Sequence, residues 1–167
     1  MLKSGHAIMV IVLAKFYIAY DTKYGNTKLV AESIAEGMRV VAGVEVSIGY
    51  VKDIDVKKLH EADGLILGAP NHMARPSRTI MKFVDTLTQK SLTVKNVAIF
   101  GTYSGRARDP DRAVRKMEKI IEEKFPNIKL FSPSLSVRVY GVTGPLVEGE
   151  LQKCKEYGRK TVNQFVV

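Results

Sequence analysis

The apolar positions of this chain change period again and again, from strand-like to helical and back. Phe16 to Tyr20 is aromatic and β-branched, which predicts a buried strand. Val30, Ile34, Met38 and Val41 then recur at helical spacing, with Ala31 and Ala35 widening the stripe, until Gly43 ends the helix. Val44 to Tyr50 alternates as a strand, and Asp55 to His60 reads as a short helical turn. Gly64-Leu-Ile-Leu-Gly68 is a continuous apolar run, the pattern of a strand covered on both faces. Ala69 to Ser77 is a two-proline loop, after which Ile80, Phe83, Val84 and Leu87 restore helical spacing over Thr79 to Leu87. Val94 to Gly101 is another buried strand, and Thr102 to Asp109 a polar loop. Asp109-Pro110 signals a helix start, with Val114, Met117, Ile121 and Phe125 as its core face. Pro126-Asn127 breaks that helix, Ile128 to Phe131 begins a fifth strand, and Leu151, Cys154, Gly158, Val162 and Phe165 line a final helix. Strands alternating with helices imply right-handed crossovers and a parallel sheet, an α/β fold.

Composition narrows the class. A length of 167 residues is one domain, and 46% hydrophobic with 26% charged residues is a globular balance. Cys154 stands alone, which excludes an internal disulfide; on the apolar face of the last helix it reads as a buried, inert thiol. His6, His60 and His72 have no metal-binding spacing, so no metal is expected. The formal charge is +9 and unevenly spread: Arg75 to Arg115 holds nine Lys or Arg against three Asp, Lys28 to His60 five bases against five acids. A basic surface favours acidic partners, nucleic acid or an anionic membrane, or is only a well-solvated exterior. Residues 1–14 loosely imitate a signal peptide, but their apolar run from Ala7 to Ala14 is far shorter than the ~18 residues of a membrane span. An extension or lead-in of the first strand, or a start at Met9, is the expectation, with the domain occupying residues 15–167 and a cytoplasmic location.

The candidate chemistry lies where the first strand ends. Asp21 to Asn26 supplies turn residues directly before a helix, whose first amides have no intrahelical partner and, with the helix dipole, favour an anion. Gly25 can adopt positive φ and has no Cβ to hold a ligand away; Thr22 and Thr27 bring hydroxyls and Asn26 an amide, all donors to phosphate oxygens. Thr27 can double as the helix N-cap. An ordinary strand–turn–helix connection with a Thr cap satisfies the same spacing. Neither Gly-x-Gly-x-x-Gly nor Gly-x-x-x-x-Gly-Lys-Ser/Thr occurs, and Asp21 stands nearly alone where a receiver domain needs several carboxylates.

Tyr20-Asp-Thr-Lys-Tyr-Gly-Asn-Thr27 resembles the phosphate loop of flavodoxins, and most of all the form found in the flavodoxin domains of flavodiiron proteins. Ala62-Asp-Gly-Leu-Ile-Leu-Gly-Ala-Pro70, with Pro76-Ser-Arg and Phe83-Val-Asp, is similar to that family's third strand, flavin loop and following helix. Phe100-Gly-Thr-Tyr-Ser-Gly105 resembles its second flavin loop, and Leu151-x-x-Cys-x-x-Tyr-Gly-Arg-Lys160 its last helix. The resemblance implies a doubly wound five-stranded parallel sheet of order 2-1-3-4-5, with FMN at the carboxyl edge where the winding reverses. It implies a phosphate on Thr22, Lys23, Tyr24, Gly25, Asn26 and Thr27, and a flavin ring between Tyr103 and the segment Pro70, Asn71, His72 and Met73, with Thr102, Ser104 and Gly105 completing the second loop. The Ala69–Ser77 segment departs from the family in having no glycine and no tryptophan, which leaves Asn71 as the substitute for the glycine whose peptide flips on flavin reduction.

The function implied is that of an FMN-binding electron carrier, in which the flavin holds the electrons and no side chain does acid–base work. Arg75, Arg78, Arg106, Arg108 and Arg112 are expected to ring the flavin edge and to meet an acidic redox partner or the phosphate of NAD(P)H. Two alternatives stand beside it: a small NAD(P)H-dependent FMN or quinone reductase, and a flavin-free basic binding module. No nucleic-acid motif and no membrane segment is expected, and a homodimer is compatible with the reading.

Overall fold

The computed structural model describes residues 14–166. Its strands and helices follow the predicted alternation: β1 (Ala14–Tyr20), α1 (Asn26–Arg39), β2 (Val44–Tyr50), a 3-10 turn (Val56–Glu61), β3 (Gly64–His72), β4 (Arg75–Pro76), α2 (Arg78–Gln89), β5 (Asn96–Ser104), α3 (Arg112–Lys124), β6 (Lys129–Leu130), β7 (Leu135–Val139) and α4 (Glu150–Val166). The expected strand lead-in and the alternative start at Met9 lie outside the described residues.

The sheet runs β2-β1-β3-β5-β6, with β7 continuing along β5 beyond β6. These five positions are parallel and have the expected 2-1-3-4-5 order. The register is continuous, from Ala14 opposite Val44 to Tyr20 opposite Tyr50, and from Gly64 opposite Asn96 to Pro70 opposite Thr102. All five positions therefore end at one edge, and the loops that leave it are brought together.

Each face of the sheet has its own core. Phe16, Ile18 and Ile66 pack under α1 and α4 through Val30, Ile34, Met38, Cys154 and Val162. Leu65, Leu67 and Ile99 pack under α2 and α3 through Ile80, Val84, Leu87, Met117 and Ile121. Fully burying a side chain of this size contributes about 1.5–3 kcal/mol, so the two clusters hold the sheet between the helix layers. The two helices of the first layer touch backbone to side: a Cβ on Gly158 would lie 2.1 Å from the Ile34 carbonyl oxygen, and one on Gly37 1.9 Å from that of Lys155. Leu151, expected on the buried face of α4, is 43% exposed, because that face starts one turn later at Cys154.

Three boundaries differ from expectation. The Ala69–Ser77 segment is not a loop: β3 continues to His72 and folds back on β4, with Asn71 opposite Pro76 and His72 opposite Arg75. β5 likewise runs on through Thr102 and Tyr103 to Ser104, because it is paired there with β7. The fifth strand is broken between Leu130 and Leu135, where Pro133 cannot donate to a ladder. At the break the Ile99 carbonyl of β5 accepts instead from the Tyr157 hydroxyl of α4 at 3.0 Å, so the gap in the ladder stays satisfied.

Candidate functional site

The helix α1 begins without a side-chain cap. Its N-cap is Gly25, at φ 93° and ψ −8°, in the left-handed region that a turn this tight requires. Thr27, expected as the cap, is the second residue of the helix and is 2% exposed. A glycine cap brings no oxygen to the first helical amides, so those of Asn26, Thr27 and Lys28 have neither an intrahelical nor an N-cap acceptor. The helix α2 shows the contrast, since its N-cap Ser77 accepts from the Ile80 amide at 3.3 Å.

The turn before α1 is held by its own threonine. The Gly25 amide donates to Thr22 Oγ1 at 3.0 Å. That bond consumes the Gly25 N–H, which is therefore not one of the phosphate donors, and leaves the Thr22 O–H free to donate. Thr27 Oγ1 and Thr102 Oγ1 stand 3.0 Å apart in a buried pair. One of these hydroxyls donates to the other, so one proton of the pair remains for an outside acceptor.

Three segments far apart in sequence enclose a cavity of about 300 Å³ at this helix start. The predicted residues Thr22, Lys23, Tyr24, Asn26 and Thr27 line it from the first turn, Pro70, Asn71, His72 and Met73 from the end of β3, and Thr102, Tyr103 and Ser104 from the end of β5. Gly25 and Gly105, also expected there, do not line it. Gly105 packs against the Arg138 guanidinium, whose Nη2 donates to its carbonyl at 3.4 Å. Lys23 places its ammonium 5.4 Å from the centre of the half-exposed Tyr24 ring. The fifth strand adds three lining residues that the sequence reading missed, Val139, Gly141 and Val142. The signal for them was the glycine- and proline-containing stretch Tyr140 to Pro145, which follows the last strand and so must leave from the same edge. That stretch also positions Asn26, for a Cβ on Gly144 would lie 2.7 Å from Asn26 Oδ1.

The left-handed residues of the hairpin are Met73 and Ala74, at φ 52° and 61°, and not Asn71, which is extended in β3. The two-residue turn between His72 and Arg75 has positive φ at both central positions, the type I′ pattern, although neither residue there favours it. Met73 is thereby carried to the tip, 97% exposed. Of the expected arginines, none lines the smaller cavity. Arg75 and Arg78 line a second one beside it, Arg106 and Arg108 are exposed in the loop after Ser104, and Arg112 opens α3. Two of them share a neighbour: burial, then the charges of Arg112 and Arg75, hold the Lys116 ammonium below its ordinary value. Burial pushes the Cys154 thiol up to about 12, as expected for an inert structural cysteine. Among the described residues no cluster of three or more His, Cys, Asp or Glu could hold a metal, and no helix is long and apolar enough to cross a membrane.

FMN fits these residues. Its phosphate needs several convergent N–H and O–H donors, which uncapped α1, Thr22 and the threonine pair provide, and its ring needs flat or apolar walls, which Tyr103, His72, Met73 and Val142 provide.

Comparison with known proteins agrees with the geometry. The chain matches the flavodoxin domain family over residues 17–145. It is 38% identical over 73 residues to a flavodoxin of Aquifex aeolicus, covering 44% of this chain and 40% of that one. It is 33% identical over 100 residues to a flavodoxin of Clostridium saccharobutylicum, covering 60% and 62%. It is also 31% identical over 157 residues to the coenzyme F420H(2) oxidase of Methanothermobacter marburgensis, covering 86% of this chain and 34% of that one. The chain thus spans less than two thirds of the length of these relatives. Among solved structures an archaeal flavodoxin superposes with a TM-score of 0.75 at 24% identity, covering 90% of this chain and 98% of that one, which supports the fold. With the match across most of its length and the cavity at the switch point of the sheet, the chain belongs to the flavodoxin family, whose cofactor is FMN.

Proposed function

We propose that this chain is an FMN-binding electron carrier that exchanges electrons with an acidic redox protein. The observation that carries the reading is the uncapped start of α1 at Gly25, with its free amides beside a cavity walled by the ends of β3, β5 and β7. Bound FMN supplies the electron-accepting ring. The chain's own part is to hold the phosphate with the amides of Asn26, Thr27 and Lys28 and the Thr22 hydroxyl, and to flank the ring with Tyr103 and His72. No side chain of the cavity is set up as a nucleophile or as a base paired with one, which favours a carrier over a hydrolytic or transfer enzyme. Exposed Arg106 and Arg108 come two and four residues after Ser104, so positive charge lies near the cavity wall where an acidic partner would approach. A single buried thiol suits a reducing compartment, and we place the protein in the cytoplasm.

The test is a visible spectrum of the purified protein followed by titration with FMN. Flavin absorbance and saturation at one FMN per chain are the expected results. Colourless protein that takes up no FMN contradicts the reading and favours a flavin-free basic module. The reductase alternative predicts steady oxidation of NADH or NADPH with a benzoquinone, which a carrier does not sustain.

A further inference from the structure

A second cavity, of about 760 Å³, lies beside the first and shares Thr22, Lys23, His72 and Met73 with it. The residues it does not share differ in kind: Asp21, Tyr50, Arg75, Arg78 and Thr79 are prominent. The Asp21 carboxylate is the unusual one. It is only 7% exposed and has no hydrogen-bond or ion-pair partner among the described residues. Every fully sealed side-chain oxygen or nitrogen among those residues does have a partner, so the Asp21 oxygens must open onto the cavity they line. The residue is largely buried while its carboxylate faces the cavity without a protein donor, so a ligand's N–H or O–H groups can meet it there.

The three cations of the cavity, Lys23, Arg75 and Arg78, make no ion pair with Asp21. The cavity therefore presents two separate poles, a pure acceptor and a set of phosphate-binding donors, with the half-buried ring of Tyr50 backed by Tyr20 at 6.1 Å as a flat wall. Each simple ligand fails one pole. A bare phosphate leaves Asp21 unpaired and is repelled by it, a neutral sugar leaves the guanidinium groups unused, and an acidic peptide brings like charge to Asp21. One chemistry satisfies all three features. We propose that this cavity binds a nucleoside phosphate, with sugar hydroxyls on Asp21, base against Tyr50 and phosphate on Arg75 and Arg78. Its volume falls within the ~300–1,000 Å³ of small-molecule sites. The inference goes beyond the electron-carrier reading and concerns a cavity that adjoins the FMN site, with the first turn (Thr22, Lys23) and the β3–β4 hairpin (His72, Met73) contributing to both.

The experiment is an amide-resolved NMR titration of isotope-labelled protein saturated with FMN, using AMP, NADP+ and inorganic phosphate separately. The nucleotides are expected to move the amides of Asp21, Tyr50 and Thr79, and inorganic phosphate to be far weaker. Asp21→Asn, and Arg75→Ala with Arg78→Ala, should each weaken nucleotide binding about tenfold while FMN content stays constant. Tighter binding of NADP+ than of AMP identifies a pyridine nucleotide, and equal binding an adenine mononucleotide. The proposal is overturned if neither nucleotide moves those amides at millimolar concentration, if inorganic phosphate does as well as AMP, or if shifts are confined to Asn26–Lys28 and Thr102–Gly105. Should the protein take up no FMN, the same titration of the protein alone, read at the same amides, decides the matter separately.

Discussion

Thr27 and Thr102, seventy-five residues apart in sequence, meet with their hydroxyl oxygens 3.0 Å apart and buried. This contact ties the start of α1 to the end of β5, the two elements between which the phosphate and the flavin ring must be registered. Thr102→Val keeps the shape and removes one hydroxyl, leaving Thr27 with an unmatched buried oxygen. Stability without flavin should fall by about 1–2 kcal/mol and FMN affinity by up to about tenfold. Chemical denaturation of the apoprotein and an FMN titration measure the two.

Two glycines separate binding from folding. Gly25 has positive φ but open space where a Cβ would go, whereas Gly158 would drive a Cβ into the Ile34 carbonyl. Gly25→Ala should cost about 1–2 kcal/mol through the backbone alone and appear mainly as weaker FMN binding. Gly158→Ala must push α1 and α4 apart, costing about 1–3 kcal/mol in unfolding experiments with little change in the flavin site of the folded fraction.

Alkaline pH should expose the buried thiol. The Cys154 value rises from 9.0 to about 12, chiefly by burial, and burial likewise pushes the Tyr157 phenol up. Both folded groups hold protons that the unfolded chain releases. Their stabilising contribution is complete below about pH 9, and falls as pH climbs from there towards 12. Cys154→Ala should show a shallower loss of stability over that window. In native protein at pH 8 the thiol should react with an alkylating reagent only as fast as the chain unfolds.

Arg106 and Arg108 are exposed and stand outside the cavity lining. Reversing both to Glu should leave FMN uptake unchanged. Reduction by an acidic donor protein at low ionic strength should slow about tenfold or more, and its salt dependence should flatten. Stopped-flow rates that are unchanged across ionic strength would remove the docking role.

How much of this was legible in the sequence depended on how local each signal was. Val44–Tyr50 alternates within itself and was bounded correctly, as was the continuous run that opens β3. The end of β3 was missed because its pairing with Arg75–Pro76 lies in a hairpin built on Met73 and Ala74, neither of which favours positive φ. Asn71 was the better residue for that conformation by propensity, and tertiary pairing kept it extended. Thr27 has the chemistry of an N-cap, yet β5 presents a second hydroxyl that it meets instead. The first turn and Tyr103 sit in motifs of their own, His72 lies between two of them, and one cavity is lined by all three. Val139, Gly141 and Val142 had no motif. Their position follows only once the fifth strand is seen to resume after its break, at Leu135.

The central claim is that the uncapped start of α1 grips a phosphate, and it is tested most directly by comparing FMN with riboflavin, which differs only in lacking that group. If the amides of Asn26, Thr27 and Lys28 and the Thr22 hydroxyl hold the phosphate, FMN should bind at least about a hundredfold more tightly, since two or more charge-assisted bonds are lost with it. Equal affinities for the two flavins would contradict the account.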